Sequence, residues 1–175
     1  VSAHDPEGMM KQWLGLGVMG LVLAGCIPES RLPAGPVPIE GDSITYETGP
    51  CFGRCPVYAV TVRPDGTGVF EGKRFTAVAG ERSFTLSRAQ YDAFAMKLAP
   101  YRPASGEVRY SHGEANCPNA PTDMPSVEVI WTRAIGDSQK LHFYYGCRRD
   151  NPAMADALGH AAELLPIEAL IGPRP

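Results

Sequence analysis

The densest chemistry in the chain is the run Gly49-Pro50-Cys51-Phe52-Gly53-Arg54-Cys55-Pro56-Val57-Tyr58. Two sulfurs four residues apart can close a small disulfide, act as reactive thiols, or hold a soft metal if an imidazole joins them. His112 and His142 are the histidines that could complete such a set. A reactive thiol needs a helix N-terminus or a nearby cation to lower its pKa. Here Pro56 leads instead into Tyr58-Ala59-Val60-Thr61-Val62, whose alternation reads as a strand. The expected role is therefore a stapled turn that launches a hairpin. Copper or thiol–disulfide handling at Cys51 and Cys55 is the alternative.

Other chemistry is sparse. Histidines 4, 112, 142 and 160 show no zinc spacing. His142 falls in a strand pattern and His160 in a helical one, where structural roles are expected. Asp65 and Asp137 sit in turn sequences, and Arg148-Arg149-Asp150 reads as a solvated helix entry. No Gly-x-Ser-x-Gly, phosphate loop or paired-carboxylate motif is present, so the sequence calls for no cofactor and no catalytic residue. With 16 basic and 19 acidic residues, the chain has no basic footprint for nucleic acid.

A fifth cysteine points to the compartment. Met10-Lys11 gives a positive start, Trp13 to Leu23 is apolar, and the run ends in Leu23-Ala24-Gly25-Cys26. Charge, apolar core and small residues are the layout of a secretory signal. The core is shorter than the roughly 20 residues that span a bilayer. Leu-Ala-Gly-Cys resembles the lipobox of bacterial lipoproteins, which implies cleavage before Cys26 and diacylglycerol on its sulfur. Residues 1–25 are thus expected to be a signal peptide. Asp5 and Glu7 suit it poorly, so residues 1–8 read as an upstream extension, with translation starting at Met9 or Met10. Lys11, Asp5 and Glu7 would be removed, which leaves 15 basic and 17 acidic residues in the mature chain. By resemblance to the enteric sorting rule, Ile27 after the lipidated cysteine implies the outer membrane. Prolines 28, 33, 36 and 38 then block helix and ladder formation, so residues 26–41 read as a lipidated, extended tether.

The elements that must position the cysteine turn follow from residue 42 on. Ser43 to Thr48 and Val57 to Arg63 alternate as strands, and Pro64-Asp65-Gly66 turns the chain into a third, Thr67 to Gly72. Glu81 to Leu86 gives a fourth. Ser87 and Gln90 form a capping box for a helix whose Tyr91, Phe94, Ala95 and Leu98 share one face. Residues 101–124 show little periodicity, and a structureless stretch that long is uncommon unless it is functional or pinned. Its Tyr110 and His112 form a candidate binding loop; the competing reading is that the stretch merely wraps the sheet edge. Val127 to Thr132 and Lys140 to Tyr145 pair as strands. Asn151-Pro152 opens a final helix that buries Leu158, Ala161, Ala162 and Leu165. The order ββββ-α-ββ-α predicts an α+β domain over residues 42–171: a single antiparallel sheet with two helices on one face.

The cysteine run, with Asp65-Gly66 and Phe70-Glu71-Gly72 after it, resembles the bacterial family called domain of unknown function 6438. The resemblance covers roughly residues 44–170 and carries a Gly-x-Cys-Phe-Gly-x-Cys-Pro-x-Tyr signature. It implies an exported or lipid-anchored domain without an assigned activity. It also implies that Cys117 and Cys147 are additions that pair with each other. Four cysteines in an oxidising periplasm read as two disulfides, for which three pairings exist; Cys51–Cys55 and Cys117–Cys147 are expected. The Cys-x3-Cys-Pro spacing also resembles copper chaperones of the Sco type, but those place it before a helix.

The sequence thus predicts a non-catalytic, lipid-anchored periplasmic protein. It would be a binding or envelope-structural module whose partners are the membrane, through its anchor, and an envelope protein.

Overall fold

The computed structural model describes residues 42–173. The signal segment, Cys26 and the tether lie outside the described residues. Seven strands form one sheet: β1 (Ser43–Thr48), β2 (Val57–Val62), β3 (Thr67–Arg74), β4 (Gly80–Thr85), β5 (Gly106–Tyr110), β6 (Ser126–Thr132) and β7 (Ser138–Tyr144). Helices α1 (Arg88–Leu98), α2 (Pro152–Ala161) and the short α3 (Glu168–Ile171) complete the domain. The spatial order is β4-β3-β2-β1-β6-β7-β5, so the strand that feeds the cysteine turn is the central one.

Period-two patterning decides which face is buried. Phe70, Val60, Tyr46, Val129 and Leu141 stand opposite one another across five strands, and all are buried. The next row runs Val62, Ile44, Trp131 and Gln139. Gln139 is the buried polar residue of the core; its Oε1 accepts from Arg102 Nε at 2.9 Å and from Arg102 Nη2. Helices α1 and α2 cover this face with Tyr91, Phe94, Leu98, Leu158 and Ala161. The opposite face carries polar pairs: Thr45 with Thr61 at 2.9 Å, Lys73 with Glu47 at 2.6 Å, and Lys140 with Glu128 at 2.7 Å. One buried face and one solvated face are what antiparallel sheets permit.

The sheet is mixed rather than wholly antiparallel, because β5 pairs parallel to β7. Helix α1 takes the chain from the β4 edge to the opposite edge, where β5 enters running in the same direction as β7. The strand falls inside the 101–124 stretch that shows little periodicity. Its Val108 and Tyr110 do alternate with Glu107 and Arg109, but over only five residues, most of them exposed.

Capping follows the sequence at one helix and departs from it at the other. Ser87 and Gln90 close the box on α1. Asn151 makes no side-chain cap on α2. Its Nδ2 donates instead to the carbonyls of Asn116, at 3.1 Å, and Cys147, at 3.2 Å, so it ties the long loop to the end of β7.

Cys117 and Cys147 are bonded across 30 residues and fully buried. In the chain-entropy account a loop of that length contributes about 3.6 kcal/mol, against about 2 kcal/mol for the Cys51–Cys55 ring. Replacing both Cys117 and Cys147 by Ala should lower the melting temperature by about 10 °C and speed amide exchange in residues 111–124. A melting curve unchanged from the parent would refute this account of the loop.

Candidate functional site

The turn after β1 is built by close backbone approach and one hydroxyl. Gly49 N–H donates to the Ser126 carbonyl at 2.8 Å, and a Cβ at Gly49 would stand 2.2 Å from Ser126 Oγ. The β2–β3 register shifts between Val57 and Tyr58, which marks a bulge. Thr48 compensates nearby: its hydroxyl donates to the Pro56 carbonyl at 2.9 Å and accepts from the Tyr58 amide at 3.0 Å. Cys51 and Cys55 are joined as a disulfide and are partly exposed. Phe52 N–H, within this ring, donates to the Asp123 carbonyl at 3.1 Å.

Three further segments meet the turn. Residues 124–126 are held by the Tyr144 hydroxyl, which donates to the Pro121 carbonyl at 2.8 Å and accepts from Met124 N–H at 3.0 Å. Tyr145 N–H donates to the Pro125 carbonyl at 2.9 Å. Helix α2 brings Gly159, and α3 brings Ile171. Between them lies a cavity of about 320 Å³, walled by Tyr46, Tyr58, Tyr145, Cys55-Pro56 and Met124 among others. A second hollow of about 310 Å³ shares Tyr145, Arg148 and Gly159 with it and is lined also by Asp156 and His160. The two adjoin as one groove: the first part has mostly aromatic and apolar walls, and the second carries the charged and polar side chains of the exposed Arg148, Asp156 and His160. Among the described residues no carboxylate pairs with Arg148.

Gly159 is the informative residue here. Glycine inside a helix costs about 1 kcal/mol relative to alanine. Yet an added Cβ would meet only Tyr145, its hydroxyl at 3.7 Å and Cε1 at 3.9 Å, an ordinary contact. Sterics do not demand glycine, but any side chain there would project into the groove.

Tyr46 and Tyr145 form its polar floor. The Tyr46 hydroxyl donates to the Leu158 carbonyl at 2.9 Å and is hydrogen-bonded with Tyr145. Burial pushes the Tyr145 phenol up to about 12, with the Tyr46 bond offsetting part of the rise. At neutral pH the groove thus presents the neutral Tyr145 phenol, with Arg148 and Asp156 both lining the adjoining hollow.

Of the residues singled out by sequence, Cys55 lines the groove. Tyr110 packs against Phe143 with ring centroids 5.8 Å apart. The His112 Nδ1 shares a hydrogen bond with the Ala120 carbonyl at 2.8 Å. Neither lines the groove. His142 lies on the solvated sheet face 3.8 Å from Glu128; burial, then Arg109, holds its pKa low. Among the described residues no three of His, Cys, Asp or Glu are grouped to hold a metal ion. Sequence reasoning missed Met124, Tyr145, Arg148 and Gly159; only Gly159, a glycine in an otherwise helical run, carried a signal.

The raised Tyr145 pKa has a consequence for stability. The folded state holds this proton more tightly than the unfolded chain, whose tyrosine titrates near 10. The associated stability is present below about pH 10 and is lost as pH rises toward 12. Tyr145→Phe should flatten the fall in melting temperature over that window; a parallel fall in both proteins would sink the assignment.

The comparisons bear on this architecture. No curated protein matches the chain. The family model described as a domain of unknown function (DUF6438) matches residues 42–165, which span all seven strands, both disulfides and the groove except Ile171. The chain therefore belongs to the DUF6438 family.

Proposed function

We propose that this chain is a non-catalytic binding module of the bacterial envelope, lipid-anchored at Cys26, with the groove beside the Cys51–Cys55 turn as its recognition site. The observation that carries the binding role is the groove itself. It is a tyrosine-walled, largely apolar slot beside an arginine that has no carboxylate partner among the described residues, and it is kept open by a helix-interior glycine that packing does not require. Pockets of this kind, mostly apolar with a few placed polar groups, are the usual form of ligand sites. The export layout and Leu23-Ala24-Gly25-Cys26 support the anchor. The chain enters β1 at Ser43, and the groove lies beyond Thr48 at the strand's other end. The outer membrane is the expected site of anchoring, from Ile27 after the lipidated cysteine.

Copper or thiol–disulfide handling at Cys51 and Cys55 is the second reading. One observation favours it: this disulfide is partly exposed, and Cys55 lines the groove, whereas Cys117–Cys147 is buried. Exposed disulfides are the more reducible ones. Against it, sulfurs bonded to each other offer no thiolate for a soft metal.

The intact mass of the unreduced protein from membranes separates these readings. Expected is a chain that begins at diacylated Cys26 and lacks the hydrogens of both disulfides. An unmodified or different N-terminus would remove the anchor, and two free thiols at Cys51 and Cys55 would put the second reading first.

The groove is tested with anilinonaphthalene sulfonate, an apolar aromatic anion. Expected is saturable fluorescence enhancement whose affinity falls on the order of tenfold in Arg148→Glu, where reversing the charge turns attraction for the anion into repulsion, and disappears in Gly159→Leu. Gly159→Ala should raise stability by up to about 1 kcal/mol while weakening the dye. Dye binding unaffected by all three changes would discard the groove.

A further inference from the structure

The rim of the groove carries a second arrangement. Phe52, on the disulfide-closed turn, is 89% exposed. The disulfide and its amide bond to the Asp123 carbonyl fix the backbone beneath it. Next to Cys55, the Arg54 guanidinium lies over the Phe75 ring at 5.5 Å, and Arg74 lies over the same ring at 5.1 Å. Phe75 is itself exposed and has a left-handed backbone, φ 56°. A non-glycine residue held in such a region costs on the order of 1–3 kcal/mol and persists only where its surroundings enforce it. The enforcement is visible. Thr76 Oγ1 donates to the Val78 carbonyl at 2.8 Å. Ala77 and Val78 donate their amides to the carbonyls of Ile171 and Leu170. Ile171 is also a wall of the groove, so the Phe75 loop is hydrogen-bonded to one wall residue, and Arg54 is the chain neighbour of another, Cys55.

Arg54, Arg74 and Arg148 have no carboxylate partner among the described residues, as is true also of Arg63, Arg82, Lys97 and Arg102; Arg54 and Arg74 are set apart by sharing one exposed aromatic ring. Both guanidinium groups are held near one ring, and two like charges so close favour an anion that binds them together. An arginine so placed grips a carboxylate through two parallel hydrogen bonds. Exposed aromatic and arginine side chains around a desolvated pocket are the composition of an interaction hot spot.

We propose that this surface docks an acidic protein partner: an apolar side chain enters the tyrosine slot, and flanking carboxylates are taken by Arg54, Arg74 and Arg148. Phe52 supplies an apolar anchor at the edge. The partner class rests on the binding reading of the groove. It is favoured over a lipid surface because the groove gives an individual side chain a seat, and because the cations are arginines preset on a ring rather than mobile lysines.

The test uses the full-length, processed protein in living cells. A photoreactive benzoyl-phenylalanine replaces Phe52, with Met96 and Ile135, exposed at 73% and 69%, as control positions. Expected is a discrete protein adduct from position 52 and none from 96 or 135, with mass spectrometry mapping the captured peptide to a segment rich in Asp and Glu. Arg54→Glu with Arg74→Glu should cut its yield on the order of tenfold through like-charge repulsion. Both arginines are exposed, so the melting temperature should stay within about 2 °C, as for surface changes. An adduct to phospholipid, or to a segment without acidic excess, would overturn the acidic partner while leaving the groove in place. Adduct formation at position 52 no greater than at the controls would overturn both the partner and the surface. An adduct indifferent to the double reversal would overturn the role of the arginines.

Discussion

Tyr46 is the point on which the rest of this domain depends. It sits in the central strand, where its ring joins the buried row from Phe70 to Leu141 and meets Phe94 of α1 edge-on at 6.3 Å. Its hydroxyl leaves that row and donates to the Leu158 carbonyl of α2. A sheet buried on one face can slide against its helices unless something directional fixes them. One side chain here supplies the apolar contact to one helix and the directional bond to the other. The same hydroxyl bonds Tyr145, so the joint between sheet and helix layer is also the floor of the groove.

The two disulfides divide their labour by burial. Cys117–Cys147 is sealed in the core and fastens the loop after β5 to the end of β7, where Asn151 reinforces it with bonds to Asn116 and Cys147. Cys51–Cys55 closes a ring too small to contribute much stability. Its value is local: it fixes the direction in which Phe52, Arg54 and Pro56 leave the end of the sheet. The Thr48 hydroxyl, bonded on both sides of the bulge, holds that ring onto the strands.

Much of the scaffold was legible because its patterns are local. Alternation located β1, β2, β6 and β7 within a residue or two, and Ser87-x-x-Gln90 announced the start of α1. Where several signals compete, local reading failed. Strand β5 is short, exposed and paired to a strand about thirty residues later, so neither length nor burial marks it. Asn151 has the type of a cap but spends its amide on two distant carbonyls. The groove was the least legible part, because Tyr46, Met124, Tyr145, Arg148 and Gly159 come from separated segments that meet only through the sheet order. The cysteine run marked the turn beside the groove, while the candidate binding loop read from sequence, with Tyr110 and His112, lies outside it.

Stability is forgone near the groove in two independent places. Gly159 gives up helix propensity where an alanine would fit. Phe75 accepts a left-handed backbone that carries its ring between two arginines. Local rules and fold agree in much of the remainder: strands alternate, the capping box is complete, and Asp65 takes both the amide and the hydroxyl of Thr67 in its turn. Departures occur in the loop before β6 too, where Asn116 Oδ1 is buried without a hydrogen-bond partner and Asp123 has a left-handed backbone, φ 67°. Gly159 and Phe75 lie on opposite sides of Ile171, one lining the slot with it and the other on the loop bonded to it.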